Sequence, residues 1–505
     1  MPVAPAPRKP GARHGDPGLS RLARLYGVET AYRDLEGRRK PASPEGLMAI
    51  LQALGAPVGR WDDIPGALRE RRQAAWRRTL EPVAVAWDGG PLDIEARLPS
   101  AGLASRAEWR VELETGERRS SRVDLAGARA VRTAEVESVR YAVRKLRLPG
   151  RLPFGYHRLT LEIGGVTAQA LIVSAPAQAY GAQRDDADGR PWGVFLPLHA
   201  LHSERTWGCG DFSDLEALLD WTHGLGGSAV ATLPLLATFL DQPFDPSPYA
   251  PASRLFWNEL FVDLERVPEF QSSPAAQACF NSPEMRGELA ALRSGRLVDY
   301  RRTMAAKRRI LECLAPRFFD AGDGSPAAPS TPRQQAFEAF LAANPQAEDY
   351  ACFRAVLDRE QRPWTEWPGA LGEGTIESGD FDAAAHRTHL YAQWLCHEQL
   401  TALADKARRR PPGLCLDLPL GIHPAGYDVW RHRELYAGEV TAGAPPDILF
   451  TGGQNWGFPP VHPQAQRQQG YRYHVDCLRH QFRHAGLVRI DHVMGLHRLF
   501  WIPQG

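Results

Sequence analysis

The stretch Gly486-Leu487-Val488-Arg489-Ile490-Asp491-His492 decides how the rest of this 505-residue chain is interpreted. It is a short apolar run that ends in an arginine, an aspartate and a histidine. Because side chains alternate along a β-strand, Arg489 and Asp491 point to the same side. Polar residues at the end of a parallel barrel strand lie where the βα loops gather, which is the usual place for chemistry. The stretch therefore predicts a barrel strand with a candidate site at its end.

The chemistry of this pair depends on what Arg489 does to Asp491. The guanidinium would hold the carboxylate in one rotamer and favour its charged form. A charged, oriented carboxylate in a cleft is what a glycosidase-type nucleophile needs to attack an anomeric carbon. Taken alone, an Arg-x-Asp pair is more often a structural ion pair without chemistry, so other motifs must decide.

Two further motifs accompany this strand. The run 452–459 (Gly-Gly-Gln-Asn-Trp-Gly-Phe-Pro) precedes it, and residues 247–249 (Ser-Pro-Tyr) lie far upstream. Together with residues 489–492, they resemble the amylomaltase family of 4-alpha-glucanotransferases, glycoside hydrolase family 77. The resemblance extends from about Trp192 to the last residue, with the motifs in the family's order. The Gln-Asn-Trp-Gly-Phe-Pro run is its most specific part.

The resemblance implies an α/β fold, a (β/α)8 TIM-type barrel that is incomplete at its C-terminal side in this chain. Residues 192–505 would be the N-terminal part of that barrel, with a helical insertion at about 268–381. The sequence pattern agrees, because strand and helix signals alternate. A capping box at 213–216 predicts a helix start, and residues 228–236 predict a buried strand.

Later signals continue this alternation. Apolar positions at helical spacing predict a helix over 383–407, and residues 414–420 predict the next barrel strand. Residues 463–485 predict one helix that leads into the strand of Asp491. The insertion is interrupted by loops at 322–326 and 344–345, which carry Gly, Asp, Ser, Asn and Pro.

The N-terminal third divides into four predicted parts. Residues 1–17 are rich in Pro and Gly and predict a disordered tail. Residues 18–79 predict a helical segment in which Ser43 and Pro44 begin a helix that Gly55 ends. Residues 80–175 alternate with period two between Gly turns and predict a β-sandwich, and 176–191 predicts a linker.

The resemblance also implies which residues form the site. Asp491 would be the catalytic nucleophile and Arg489 would orient it. The residues that would bind sugar are Ser247, Tyr249, Asp417, Gln454, Trp456 and His492. Amides suit hydroxyl groups and aromatic rings suit the apolar face of a pyranose. By itself, Tyr249 would more often be a packed loop tyrosine.

The predicted function is the transfer of α-1,4-glucan segments between maltooligosaccharides by a retaining double displacement. The first alternative is a retaining α-glucan hydrolase of the same superfamily, which would share Arg489 and Asp491. The second is a non-catalytic glucan-binding protein. The ratio of hydrolysis to transfer separates the first alternative, and glucan binding without turnover supports the second.

One departure from the family pattern bears on activity. Retaining chemistry needs a second carboxyl group as acid and then base. In the family this is a glutamate in a Gly-Glu-Asp-Leu-Gly segment, and a third aspartate lies in an Asn-His-Asp segment. Neither segment occurs before Gly505. We therefore expect a truncated form that is inactive, or nearly so, as the 505-residue chain alone.

Composition limits the partners. Sixty basic and 59 acidic side chains nearly cancel, so the chain shows no charge signature for nucleic acid or an anionic membrane. Seven widely spaced cysteines without a Cys-x-x-Cys pair, and no signal peptide or spanning segment, predict a soluble cytoplasmic protein. No cofactor or metal site is predicted, and histidines such as His480 and His484 are interpreted as solvated helix residues. The sequence leaves the oligomeric state open.

Overall fold

The computed structural model describes residues 16–100, 106–125, 127–180, 191–320 and 331–504. The predicted loop at 322–326, most of the predicted tail and residues 181–190 of the predicted linker lie outside these ranges. The helices of the described part are α1 Pro17–Leu25, α2 Pro44–Ala53, α3 Ile64–Arg77, α4 Phe212–Gly224, α5 Pro268–Ser272, α6 Pro274–Asn281, α7 Pro283–Ser294, α8 Tyr300–Phe319, α9 Pro332–Ala343, α10 Ala347–Glu360, α11 Gly369–Gly372, α12 Ala383–Ala407, α13 Tyr427–Arg431, α14 Pro463–Gln468 and α15 Arg472–Phe482.

Its strands are β1 Ala31–Arg33, β2 Arg39–Pro41, β3 Val83–Trp87, β4 Leu92–Pro99, β5 Ala107–Glu112, β6 Arg118–Val123, β7 Ala130–Val136, β8 Val139–Leu148, β9 Gly155–Ile163, β10 Val166–Ala175, β11 Gly193–Phe195, β12 Ala229–Ala231, β13 Phe239–Leu240, β14 Phe244–Asp245, β15 Gly413–Leu418, β16 Val440–Ala444, β17 Gln454–Asn455, β18 Leu487–Ile490 and β19 Phe500–Pro503. No helix of the described ranges has both the length and the apolar character that crossing a membrane would require.

The N-terminal helices α1, α2 and α3 pack around one small apolar core. The predicted start of α2 is confirmed, because the Ser43 side chain accepts a hydrogen bond from the Gly46 amide and Pro44 is the first helical residue. Helix α1 begins one residue inside the predicted tail, at Pro17. The Asp16 carboxylate caps it by accepting from the Gly18 amide, which a sequence reading based on Pro and Gly content overlooks.

The predicted β-sandwich is confirmed. A five-stranded sheet in the order β3-β10-β9-β5-β6 packs against a three-stranded sheet in the order β4-β8-β7. Alternate side chains point inward and form one buried core, in which Trp109 of β5 lies opposite Leu161 of β9.

The α/β part is built on four parallel strands in the order β11-β12-β15-β18. Strand β12 is much shorter than the predicted 228–236, since pairing ends at Ala231 and Pro234 lacks an amide hydrogen for a longer ladder. Strand β15 ends at Leu418, before Pro419. The C-terminal ends of these strands all lie at the same edge of the sheet, because parallel strands share their direction.

Two predicted helix boundaries are wrong. Helix α4 starts at Phe212, because Asp211 and Asp214 form the capping box that the sequence placed at 213–216. The helix predicted over 463–485 is two helices, α14 and α15, because Gly470 and Tyr471 have φ values of +65° and +58° between them. In contrast, α12 has the predicted bounds, and helices α5 to α11 occupy the region of the predicted insertion.

The N-terminal units contact the elements that precede and follow β18. The Arg479 guanidinium of α15 pairs with Glu114 of the sandwich and lies 5.0 Å over the Tyr156 ring centroid. Phe500 of β19 meets Tyr32 edge to face, with ring centroids 5.8 Å apart. Both flanks of the strand that precedes Asp491 are thus supported by the N-terminal units.

Candidate active site

The ends of β15 and β18 bring three charged side chains together. Asp417 of β15 is the register partner of Arg489 of β18. Asp491 follows β18 directly, and its amide donates to the Leu418 carbonyl oxygen at 3.0 Å, which continues the ladder for one residue. Neighbouring parallel strands therefore place Asp417 and Asp491 on either side of Arg489.

Arg489 bridges the two carboxylates with its two terminal nitrogens. Nη1 donates to Asp417 Oδ2 at 2.5 Å and Nη2 donates to Asp491 Oδ1 at 2.8 Å. Burial alone would lower the pKa of Arg489, but Asp417 and Asp491 raise it above its ordinary value. The arginine is half exposed, so the centre opens to solvent from this side.

Asp417 is the buried member of the centre, with 3% of its surface exposed. Burial raises the pKa of its carboxyl group, although Arg489 and the nearby Tyr249 hydroxyl favour the charged form. No described residue hydrogen-bonds Asp417 Oδ1, which is also buried. Because a buried acceptor without a partner is costly, this atom is well suited to receive a hydroxyl group from a ligand.

Asp491 is more accessible, with 26% of its side chain exposed. Of the residues that the structure describes, Arg489 alone hydrogen-bonds its carboxylate, and it does so through Oδ1. Oδ2 is thus left for a reacting atom.

Tyr249 lies at this centre, whereas no hydrogen bond joins the Ser247 side chain to it within the described ranges. Burial and the Asp417 carboxylate raise the pKa of the Tyr249 hydroxyl, which also interacts with Arg489 and Asp491. Ser247 contributes its backbone: its amide donates to Asp245 Oδ1 at 3.0 Å and its carbonyl accepts from the Ala250 amide. In the described part of the chain, Ser247 therefore shapes the turn that carries Tyr249.

The run 454–459 adds further residues beside the three charged side chains and Tyr249. The Trp456 indole donates to Gln454 Oε1 at 3.2 Å, and the His492 ring meets the indole edge to face at 4.9 Å. His492 itself has a left-handed backbone, with φ of +44°, which turns the chain sharply after Asp491. The three predicted sugar-binding residues therefore form one contact chain that starts beside Asp491.

Sequence reasoning missed Gly421, which lets the site segments approach each other. A Cβ atom at this position would lie 2.2 Å from the Tyr249 carbonyl oxygen and 3.1 Å from the Phe458 ring. Only glycine fits between the segment of Tyr249 and the run 454–459. A glycine directly after Asp-Leu-Pro-Leu is the signal, but it does not reveal which backbone the glycine meets.

A second missed feature is the apolar tip that precedes the run 454–459. Ile448 and Leu449 are 82% and 86% exposed, and the Phe450 side chain follows them. Asp447 Oδ1 holds the tip by accepting the amides of Leu449 at 2.8 Å and Phe450 at 2.6 Å. Exposed apolar side chains in a row indicate a contact surface beside the site.

Within the described ranges, no group of three His, Cys, Asp or Glu side chains is arranged to hold a metal ion. The interpretation of His480 and His484 as solvated helix residues is wrong. The His480 ring stacks on Trp257 at 4.1 Å, and the His484 side chain is buried with its Nε2 3.1 Å from Thr401 Oγ1. Burial lowers the pKa of both rings, that of His484 to about 3.

Comparison with known proteins places this geometry in a family. Residues 196–505 match the glycoside hydrolase family 77 model, described as 4-alpha-glucanotransferase, and residues 79–176 match the MalQ N-terminal beta sandwich domain. The 4-alpha-glucanotransferase of Mycobacterium tuberculosis is 33% identical over 514 residues, which covers 97% of this chain and 67% of that protein. The enzyme of Haemophilus influenzae is 28% identical over 506 residues, with coverage of 96% and 66%.

A solved structure agrees with the sequence matches. The crystal structure of amylomaltase from Corynebacterium glutamicum superposes with a TM-score of 0.80 at 28% identity, covering 97% of this chain and 67% of that one. The chain thus spans about two thirds of the length of these relatives. Matching sequence, sandwich and α/β architecture together show that the chain belongs to the amylomaltase family of 4-alpha-glucanotransferases.

Proposed function

We propose that the centre formed by Asp417, Arg489 and Asp491 transfers α-1,4-glucan segments between maltooligosaccharides. The observation that carries this proposal is the single guanidinium shared by two carboxylates that each keep a free oxygen. Asp491 is the accessible carboxylate and acts as nucleophile. Asp417 is the buried one and binds the sugar beside it.

The first half of the reaction uses residues of this chain. Asp491 Oδ2 attacks the anomeric carbon, the bond from that carbon to the leaving oxygen breaks, and a glycosyl ester forms. Arg489 keeps Oδ1 occupied and so fixes the direction of attack. The leaving oxygen must take up a proton from a carboxyl acid, which the family resemblance assigns to the glutamate of a Gly-Glu-Asp-Leu-Gly segment, a pattern that residues 1–505 do not contain.

The second half distinguishes transfer from hydrolysis. The 4-hydroxyl of another glucan attacks the anomeric carbon, the ester bond breaks and the hydroxyl proton passes to the base. Trp456 and the exposed tip at Ile448 and Leu449 offer apolar surface on which an acceptor sugar can stack. Such a surface favours a sugar over water as acceptor.

Tyr249, Gln454 and His492 complete the binding wall. The Tyr249 ring would stack on the sugar next to the cleaved bond, and the Gln454 amide would bind hydroxyl groups. Ser247 acts through the turn that presents Tyr249. This set of neutral groups around one ion-paired centre suits an uncharged polysaccharide.

The expected substrates are maltooligosaccharides and longer α-1,4-glucans such as starch and glycogen. No cofactor takes part in the proposed steps. The near balance of 60 basic and 59 acidic side chains supports neither nucleic acid nor a membrane as partner. We place the protein in the cytoplasm, on the strength of its unpaired cysteines.

A fluoride donor tests the nucleophile without the general acid. Fluoride leaves without protonation, so α-maltotriosyl fluoride should glycosylate Asp491 in this chain even where natural glucans turn over slowly. Intact-mass analysis should show the addition of one maltotriosyl unit, and peptide mapping should place it on Asp491. Asp491→Asn should abolish the adduct, whereas Asp405→Asn on the exposed side of α12 should not.

Three outcomes would contradict parts of the proposal. An adduct that persists in Asp491→Asn would show that another residue is the nucleophile. Binding of maltoheptaose without any adduct from the fluoride would favour a glucan-binding protein. Where an adduct forms, adding maltose as acceptor should yield longer oligosaccharides. Release of free maltotriose instead would favour the hydrolase.

A further inference from the structure

The loop 419–421, which follows Asp417, touches every other segment of the site. Gly421 lies against the Tyr249 backbone and the Phe458 ring. The Leu420 side chain lies against Gly495, where a Cβ atom would come within 2.8 Å of Leu420 Cδ1. Gly495 belongs to the turn after Asp491. The position of this loop therefore decides how the other segments sit relative to Asp417.

The buried side chain of Arg254 holds the backbone of this loop by hydrogen bonds. Arg254 is 6% exposed, and its Nη1 donates to the carbonyl oxygens of Leu420 at 3.2 Å and Pro419 at 3.4 Å. Its Nε donates to the Tyr473 hydroxyl at 3.0 Å and its Nη2 to the Tyr436 hydroxyl at 3.4 Å. One side chain thus joins the loop to α15 and to the segment before β16.

The guanidinium of Arg254 lacks the partner that a buried cation usually has. Among the described residues, no carboxylate oxygen lies within 4.0 Å of it, in contrast to the buried Arg354, which pairs with Glu259 at 3.4 Å. Burying a cation on carbonyls and hydroxyls is costly compared with pairing it. Arginine suits this position better than lysine, because its guanidinium has five donors in a fixed fork and lysine cannot reach so many acceptors at once.

Asp428 holds both the backbone of Arg254 and the tyrosine that its side chain contacts. It is fully buried and accepts from Ser253 Oγ at 2.6 Å, from the Arg254 amide at 2.7 Å and from the Tyr473 hydroxyl at 2.5 Å. The Tyr473 hydroxyl therefore donates to Asp428 and accepts from Arg254. Both the backbone and the side-chain direction of Arg254 are set by one carboxylate.

We propose that Arg254 is a positioning residue of the active site, which holds the loop 419–421 so that Asp417, Tyr249 and the turn after Asp491 face one sugar. The identity of that sugar rests on the proposed function, but the geometry does not. Arg254 touches no substrate itself. Its effect passes through the carbonyls of Pro419 and Leu420.

Hydrogen exchange tests the positioning directly. In Arg254→Lys, amide exchange should speed up in 419–423, 247–250 and 456–458, because the loop loses its fork of donors. The matched control is Arg333→Lys, another arginine with several fixed partners, which pairs with Glu269 at 2.8 Å and with Glu398, neither of which belongs to these segments. It should leave exchange in the three segments unchanged.

Affinity for maltoheptaose gives a readout that a merely structural role would not move. Calorimetry well below the unfolding temperature should show binding weakened about 10- to 100-fold in Arg254→Lys, as expected for a small misplacement of binding groups. Arg254→Met should be weaker still, so that lysine counts as partial rescue. Arg333→Lys should bind like the parent chain.

Milder variants cover the case in which Arg254→Lys does not fold. Tyr436→Phe removes the 3.4 Å acceptor of Arg254 and should speed exchange in 419–423 by a smaller factor. Tyr473→Phe removes the 3.0 Å acceptor together with the hydroxyl that donates to Asp428, and it should also speed exchange there. The proposal is overturned if exchange there is unchanged in folded variants, or if Arg333→Lys raises it equally. If the parent chain binds no maltoheptaose, the proposed function fails, and the exchange comparison still decides the role of Arg254.

Discussion

Two clusters in this molecule use one half-exposed arginine to bridge several carboxylates, and they differ in what the carboxylates do with their remaining oxygens. Arg489, 50% exposed, bridges Asp417 and Asp491 at the ends of β15 and β18. Arg205, 46% exposed, bridges Asp211, Asp214 and Asp263 at the start of α4.

The cluster at Arg205 uses its oxygens inside the protein. Asp211 Oδ1 accepts the amides of Ser213 and Asp214, and Asp214 Oδ1 accepts from Ser203 Oγ. Asp263 Oδ2 accepts from Ser213 Oγ at 2.5 Å. These bonds cap α4 and tie it to the chain after β14. Such a cluster stabilises the fold.

The cluster at Arg489 keeps its oxygens available. Asp417 Oδ1 has no partner among the described residues, although it is buried, and the Asp491 side chain is 26% exposed. Carboxylate oxygens that lack a partner are available to a ligand, whereas oxygens that accept hydrogen bonds from the protein hold the fold together. In residue type the two clusters are alike, because each consists of one arginine and two or three aspartates.

The largest effects should come from two single variants, one that removes Arg489 and one that removes Arg205. Arg489→Met should slow formation of the glycosyl ester about 10²- to 10³-fold, as the loss of one oriented charge does in other active sites. The free energy of unfolding should fall less than in the Arg205 variant, because only one buried carboxylate, Asp417, loses its cation. Mass spectrometry of the fluoride reaction and thermal unfolding measure the two properties.

Arg205→Met should show the reverse. It leaves three buried carboxylates without their cation, so the free energy of unfolding should fall by about 3 kcal/mol. Ester formation at low temperature should keep its rate. A loss of ester formation in Arg205→Met that matches that of Arg489→Met would contradict the division between the clusters.

Smaller effects should follow from neutralising one carboxylate in each cluster. Asp417→Asn should weaken maltoheptaose binding about tenfold or more, because a charged acceptor for a sugar hydroxyl is lost. The unfolding temperature should hold or rise, since burial already disfavours the charge and raises the pKa of Asp417.

Asp263→Asn serves as the counterpart. It loses the acceptor for Arg205 and for Ser213, so its free energy of unfolding should fall by about 1–3 kcal/mol while affinity stays unchanged. Calorimetric titration measures the affinity for maltoheptaose, and urea unfolding measures the free energy of unfolding. If Asp263→Asn weakened maltoheptaose binding as much as Asp417→Asn does, the cluster at Arg205 would have a share in the site.

The pH dependence of stability offers a further contrast. Burial raises the pKa of Asp211 from 3.8 to about 6, against the opposing effect of Lys307. Between these two pH values the folded state retains a proton that the unfolded state has released, so Asp211 makes the protein less stable as pH rises.

Asp211→Asn should remove this contribution and still cap α4. Relative to the parent chain, the variant should therefore gain about 1–3 kcal/mol as pH rises from 3.8 to about 6. Urea unfolding across that range measures the difference. If the variant instead became less stable than the parent chain above a pH of about 6, the charged form of Asp211 would be the stabilising one.

The smallest effects should come from two hydroxyl groups. Tyr249→Phe keeps the ring but removes the hydroxyl beside Asp417, so maltoheptaose affinity should fall about threefold to tenfold. Ser213→Ala removes a donor to Asp263, and its unfolding free energy should fall by about 1 kcal/mol. If Tyr249→Phe destabilised the chain and left affinity intact, the hydroxyl would belong to the structure rather than to the site.

The sequence by itself determined the local elements and the family. The Ser43-Pro44 start of α2, the bounds of α12 and the alternating strands of the sandwich were readable because capping and periodicity act within a few residues. The resemblance in the runs 452–459 and 489–492 indicated the family that the comparisons then showed. The alternation of side chains along one strand already placed Arg489 and Asp491 on the same face, where the structure pairs them.

Only the tertiary structure decided which acids share an arginine and which backbone each glycine meets. Asp417 and Arg489 are 72 residues apart, and their pairing follows from strand register, which no local pattern encodes. The burial of Arg254 and the close approach at Gly421 likewise depend on loops that meet across the fold. Local forces fix the period and the caps, whereas packing between distant segments fixes the open oxygen of Asp417.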